Sequence, residues 1–331
     1  MSLSRAGLLL IVCGGAAALA LIGWIGAGDV LDEMLRAGWA LPACIAIHLV
    51  TLFLSAMAWR RLDGGGRPAL GVWFAIRWIR ESVNGLLPVA QVGGPLVGVR
   101  LLAQRGVGAA AGTAATTLDI TLESLTQALF TISGIAAVAA IGGNRALLPW
   151  LAAGVALMAV GAVGFLLAQR AGLMRAIEWL TARMSQLVPA LSPDGLHGLH
   201  AELMRRQRDP AAMATAAALH LLAWVTGVAE TWVVLRAMGY GTDPLAALAV
   251  ESLGMAARSA GFAVPGSLGI QEGGFVLAGS LLGLPPDAAA ALSMVKRARE
   301  VLVGLPGLVA WPFAEGRRAL RRAAAVQGIG P

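Results

Sequence analysis

Apolar residues in this chain come in long unbroken runs, without the alternation of elements that are half buried and half in water. The runs at about 7–27, 39–58, 109–140, 146–168, 211–236 and 286–313 are each about as long as the ~20 residues a helix needs to cross a bilayer. Two blocks interrupt this pattern. In 71–105 the stretch RWIRESVNGLLPVAQVGGP sets Arg77, Arg80, Glu81 and Asn84 ahead of Pro88, Gly93, Gly94 and Pro95. In 244–284 the stretch GFAVPGSLGIQEGG, residues 261–274, does the same with Pro265, Gly266, Gly269 and Glu272. Each half of these blocks is too short or too polar for a clean span. Non-helical backbone at membrane depth is tolerated only where protein or a water-filled cavity covers it. The pattern therefore predicts an all-α polytopic membrane bundle, a single integral domain over 1–331, with about six full spans and two re-entrant helical hairpins.

The loops set an orientation. Arg60, Arg61 and Arg67 follow the second run, arginines crowd 169–210, and the chain closes on EGRRALRR. The positive-inside rule puts these in the cytoplasm, the acidic loop GDVLDEMLRAG outside, and both termini inside a bacterial inner membrane. Trp24, Trp39 and Trp59 flank the first two runs, as interfacial aromatics do. The apolar run from Ala6 to Ala27 exceeds a signal-peptide core, so it reads as an uncleaved first span. Within 169–210, MRAIEWLTARM reads as an amphipathic helix in a cytoplasmic or interfacial linker.

Composition agrees and narrows the function classes. The 331 residues are 58% hydrophobic and 13% charged, against about 25% charged in soluble domains. The formal charge of +7 is almost all arginine, which loop bias explains without nucleic acid. Cys13 and Cys44 sit inside apolar runs and read as inert buried thiols. His197 and His200 have the spacing of one helix face but no matching cysteine pair, so no metal site is expected. Nor do the residues call for a cofactor.

Sliding the chain by 177 residues sets Pro88 on Pro265, Gly106 on Gly283 and Glu123 on Glu300. The units are 71–140 and 244–313, and the span count starts them from opposite sides. Inverted repeats with broken helices at mid-depth are a transporter architecture. The last run also buries charge, in MVKRARE. Lys296, Arg297, Arg299 and Glu300 cost ~2.5–3.5 kcal/mol each at a span centre, on the order of 10 kcal/mol together. Asp119 and Glu123 share one helix face and take the places of Lys296 and Glu300 in the repeat register. A network of Asp119 and Glu123 with Lys296, Arg297 or Arg299 is the economical expectation. Arg77 reads as a snorkelling side chain, His220 as a satisfied core histidine, Glu230 as interfacial, and Arg100 as the cytoplasmic end of the first hairpin. A helix starting near residue 270 would turn its N-terminus into a cavity and hold an anionic or hydroxylated head group. Glu272, in its first turn, would cap it or pair with Arg258 or the Lys296–Arg299 cluster.

Around Asn84, Pro88, Gly93, Gly94 and Arg100, and again in Pro265-Gly266-Ser267-Leu268-Gly269-Ile270-Gln271-Glu272, the chain resembles the flippase-like membrane family related to the transmembrane part of lysylphosphatidylglycerol synthases. It is most similar there to the hopanoid-locus HpnL subgroup. Ser267 and Val89 stand where the family often has glycine, and Pro95 where an acidic residue is frequent. The resemblance implies lipid handling without the soluble aminoacyl-transfer domain, so no enzyme. The leading reading is a lipid translocator or lipid-binding transport component for a hopanoid or an anionic phospholipid. Its partners would be the membrane lipid and proteins of lipid synthesis or export. An intramembrane enzyme using Asp119, Glu123 or Glu272 as acid or base, and a membrane scaffold, stay open. The pathway residues expected are Arg80, Glu81, Asn84, Pro88, Gln91, Arg100, Asp119, Glu123, Arg258, Pro265, Gly266, Gly269, Glu272, Lys296, Arg297, Arg299 and Glu300.

Overall fold

A computed structural model describes residues 16, 19–64, 68–87, 92–142, 148–173, 175, 198–241, 243–262 and 264–326. These residues form helices in the order α1 Ala27–Arg36, α2 Ala40–Leu62, α3 Leu70–Leu86, α4 Gly93–Ala103, α5 Ala109–Ile141, α6 Leu148–Arg170, α7 Leu199–Gln207, α8 Pro210–Ala237 and α9 Pro244–Ala260. A 3₁₀ turn at Pro265–Ser267, then α10 Ile270–Ser280 and α11 Pro286–Val326, complete the order. The fold is thus all-α, as the runs predict. Among the described residues α2, α5 and α8 are long and apolar enough to cross a membrane. The expected interfacial helix around MRAIEWLTARM lies largely outside the described residues. The last helix runs past 313 as far as Val326, because the tail is built from alanine, leucine and arginine, all good helix formers.

Local chemistry sets the helix ends. Asp209 and Asp243 cap α8 and α9, accepting the N–H of Ala212 at 2.8 Å and of Leu245 at 2.9 Å. Each is followed by a proline at the first helical position, where no N–H is needed.

The two interrupted blocks have matching dimensions. α3 and α9 each have 17 residues, and α4 and α10 each have 11. Shifting α4 by 177 residues gives the bounds of α10, and the same shift carries the start of α5 to the start of α11. α3 and α9 differ by 174, the second break being three residues longer. The joint before each long helix is a left-handed glycine, Gly106 at φ 92° and Gly283 at φ 74°, and these two coincide at a shift of 177.

Packing between the blocks is reciprocal: α3 lies along α11, and α9 lies along α5. A β-carbon at Gly307 would strike the Ser82 side chain, and one at Gly134 would strike that of Ser252. Glycine thus admits close approach at both crossings. α2 and α8 pack together most extensively, joined by a Thr51–Thr226 hydroxyl bond of 2.6 Å. One apolar core gathers Trp59, Trp73, Leu102 and Leu118; another gathers Cys44, Leu235, Phe275 and Leu292. Leu129, Leu222, Val225 and Leu302 stay exposed on the long helices, the surface expected of a bundle facing lipid.

Candidate functional site: a cavity walled by ion pairs

Ionisable residues on seven helices converge where α2, α3, α5, α8, α9, α10 and α11 meet. On α3, Arg77 and Arg80 share a face one turn apart. Arg80 Nη1 donates to Asp119 Oδ2 on α5 at 2.6 Å, and Arg77 Nη1 to the same oxygen at 3.1 Å. Arg77 Nη2 also donates to Glu123 Oε1 at 2.8 Å. His220 Nε2, from α8, lies 3.1 Å from Asp119 Oδ1. The Arg80 guanidinium stacks 5.1 Å from the centre of the Trp59 ring.

A second cluster surrounds the charged turn of α11. Lys296 Nζ lies 2.8 Å from Glu251 on α9 and donates to Glu230 on α8 at 3.5 Å. Arg299 Nη1 donates to both oxygens of Glu230, at 3.1 and 3.0 Å. Arg297 donates to Glu272 at 2.7 Å, to the Gly266 carbonyl at 2.6 Å and to Glu300 at 3.2 Å. Arg258 binds Glu300 and Gln271. Glu81 joins the clusters, 2.8 Å from His48 Nε2 on α2 and 4.0 Å from Arg77 Nε. Pairing at these distances offsets the cost of holding so many charges in an apolar bundle.

The two clusters wall a cavity of about 420 Å³, a volume in the range of small-molecule sites. Of the expected residues, Arg80, Glu81, Asn84, Glu123, Arg258, Gly266, Arg299 and Glu300 line it. Asp119, Lys296 and Arg297 stand directly behind, bonded to that wall, and Glu272 is held in turn by Arg297. Pro265 opens the 3₁₀ turn and Gly269 caps α10. Pro88 and Gln91 lie outside the described residues. Arg100 is off the wall: its side chain is exposed and 3.1 Å from Glu315.

Several expectations need correction. Asp119 and Glu123 bond to Arg77 and Arg80, not to Lys296, Arg297 or Arg299. The reason lies in the helix register. A shift of 177 carries Asp119 to Lys296, and a shift of 174 carries Arg77 to Glu251. The pair Arg77–Asp119 therefore recurs as Glu251–Lys296 with the signs exchanged, each long helix tied to the first helix of its own block. Arg77 does not snorkel but is buried, and Glu230 is a buried acid at the centre of the second cluster. At the N-terminus of α10, Glu272 Oε2 accepts the Gly269 N–H at 2.7 Å while Oε1 holds Arg297. Glu272 thus both caps and pairs. Asn84 plays a similar part at the first break, accepting the Gly94 N–H at 2.9 Å.

His48, Glu230 and Glu251 are site residues that the sequence reading left out. A lone histidine in an apolar run carries no pattern. Glu230, placed in the run 211–236, carried a signal that intramembrane acids generally carry.

Residues 6–307 match the family model described as the lysylphosphatidylglycerol synthase TM region. No curated protein and no solved structure matches the chain.

Proposed function

Because the chain belongs to the lysylphosphatidylglycerol synthase TM-region family, and is a multi-pass membrane protein related to lipid modification or transport, we propose that it is a lipid translocator whose cavity receives the lipid head group. The observation that carries this is a charged cavity of about 420 Å³ inside an otherwise apolar bundle. A structural ion-pair cluster alone would gain from being packed solid. A volume bounded by charge on six helices gives a polar group a place at depth, while the acyl chains stay among exposed leucines and valines.

The wall also favours one kind of head group. Three of its four arginines are turned away from the opening, Arg77, Arg80 and Arg299 being 7%, 5% and 9% exposed, and the fourth, Arg258 at 19%, is held by Glu300. Glu81 and Glu123 are 39% and 30% exposed. The cavity thus offers carboxylate to its occupant. A hopanoid derivative or a phospholipid bearing an ammonium group fits this wall. An anionic phospholipid fits it less well, since it would have to pull an arginine from its acid. On this reading α3 with α4, and α9 with α10, form two re-entrant hairpins related by inversion, in a bacterial inner membrane with both termini cytoplasmic. The protein then moves or holds a lipid and carries out no covalent step.

Translocation in reconstituted vesicles tests this. Acyl-labelled fluorescent lipids with ammonium or glycerol head groups are scored by the fraction protected from an impermeant quencher. The wild type is expected to expose the ammonium lipid faster than protein-free vesicles do. Ser124→Trp, which fills the cavity without removing a charge, should slow it at least about tenfold at unchanged protein level. Equal rates with and without protein would overturn the proposal.

A further inference from the structure

The ion-pair network around the cavity does not balance. Among the described residues it joins seven carboxylates to six lysine and arginine side chains, with His48 and His220 between them. Six of the carboxylates have an arginine or lysine nitrogen at hydrogen-bond distance. Glu81 is the odd one. Its nearest such nitrogen is Arg77 Nε at 4.0 Å, and its close partner is His48 Nε2 at 2.8 Å. It is also the carboxylate most exposed to the cavity among those paired there. An uncompensated charge in a low-dielectric interior costs several kcal/mol, so this corner of the wall calls for one more positive charge.

His48 is placed to supply it. Its Nδ1 lies 2.5 Å from Arg299 Nη1 and 3.6 Å from Glu230 Oε1. Arginine only donates, so in the neutral form the ring accepts from Arg299 at Nδ1 and donates from Nε2 to Glu81. A ring protonated at Nδ1 would drop Arg299 and donate to Glu230, a movement of under about 1 Å to reach hydrogen-bond distance. Arg299 would keep its own two bonds to Glu230. The charged groups facing His48 are Glu81 on α3, Glu230 on α8, Arg258 on α9, and Arg299 and Glu300 on α11. Arg77 stands behind Glu81.

We infer that His48 is the proton carrier of the cavity, charged when the cavity is empty and neutral when a cationic head group sits on Glu81, so that head group and proton are exchanged one for one. When the head group leaves, an N–H bond forms at Nδ1 with a proton from cavity water. When a head group enters, that bond breaks, the electron pair stays on Nδ1, the proton returns to water, and the ammonium of the lipid takes over the charge opposite Glu81. Nothing is oxidised or reduced. This rests on the head-group reading above, and it adds an energy source, a proton gradient, to that reading.

Solid-state nitrogen NMR of histidine-labelled full-length protein in lipid bilayers tests the proton site without any transport. Between about pH 5 and pH 9 the wild type should show, beyond the signals it shares with His48→Gln, an imidazolium that converts to the neutral Nε2–H form and that His48→Gln lacks. Adding a double-chain lipid with a single ammonium group should shift that conversion to lower pH. Glu81→Gln, which keeps His48, should also shift it downward by removing the partner charge. A His48 that stays neutral throughout, or a conversion indifferent to the probe, overturns the inference. In vesicles with the membrane potential clamped, a one-unit pH gradient should distribute the same probe about tenfold unequally between leaflets, since one unit is 1.36 kcal/mol per proton. An even distribution by a wild type that does translocate overturns the exchange. Failure of translocation itself would fall on the head-group reading and leave the NMR result to judge the proton site.

Discussion

Replacing Lys296 with methionine isolates the central ion pair of the second cluster. Lys296 and Glu251 are 2.8 Å apart, with side chains only 3% and 4% exposed. At an effective dielectric of 20 their attraction is roughly 6 kcal/mol before desolvation is subtracted. Removing one member leaves Glu251 buried with the Thr231 hydroxyl, 2.5 Å away, donating to it. Such one-sided losses cost ~3–5 kcal/mol. At ~2–4 °C per kcal/mol for a chain of this order, Lys296→Met should melt roughly 6–20 °C lower. Adding Glu251→Gln removes the orphaned charge and keeps an acceptor for Thr231, while Glu230 retains Arg299. The double variant should therefore recover most of the loss, a coupling of about 2–4 kcal/mol. Reversible denaturation in detergent, run as a double-mutant cycle, reads this directly. The cycle of Lys296→Met with Asp119→Asn should instead be additive within ~0.5 kcal/mol, since these residues share no partner. Additive losses for 296 with 251, or strong coupling for 296 with 119, would refute the assignment of pairs.

Gly134→Ala should destabilise by ~1–3 kcal/mol, because the added methyl falls on the Ser252 side chain; Ser252→Gly in the same chain should recover most of it, read by thermal melting. Glu272→Ala loses both the cap on Gly269 and the partner of Arg297, so it should melt well below Glu272→Gln, which still offers an acceptor to the cap. Single cysteines in place of Arg205, Asp32 and Asp243 should report orientation with an impermeant thiol reagent: 205 from the cytoplasmic face, 32 and 243 from the opposite one. Labelling of 205 and 243 from the same side would contradict the proposed topology.

Much of the backbone plan was legible because its causes are local. Asp209-Pro210 and Asp243-Pro244 announce helix starts, Gly106 and Gly283 mark left-handed joints, and the clusters Pro88–Pro95 and Gly261–Gly269 announce the two breaks. The cost of charge in an apolar run flagged Lys296–Glu300 and Asp119–Glu123 as a site without any knowledge of the fold. The partners were not legible. A helix apolar on all sides, such as α5 or α8, carries little periodicity to say which face meets which neighbour. The repeat register therefore matches Asp119 to the wrong cations, whereas Arg77 and Arg80, on the first helix of its own block, are the ones in reach. The sequence likewise places Arg77 and Glu230 at the interface, although both are buried. His48 becomes chemically significant only through Glu81, Glu230 and Arg299, which come from three other helices.

The most direct measurement of the central claim, that the charged cavity holds a lipid head group, is native mass spectrometry of the protein released from gentle detergent, wild type beside Ser124→Trp. The account predicts a retained lipid with an ammonium-bearing head group on the wild type and its loss from the plugged variant, with bulk annular lipid equal on both. Equal retention of that lipid by both proteins, or a retained population made up only of anionic lipids, would contradict it.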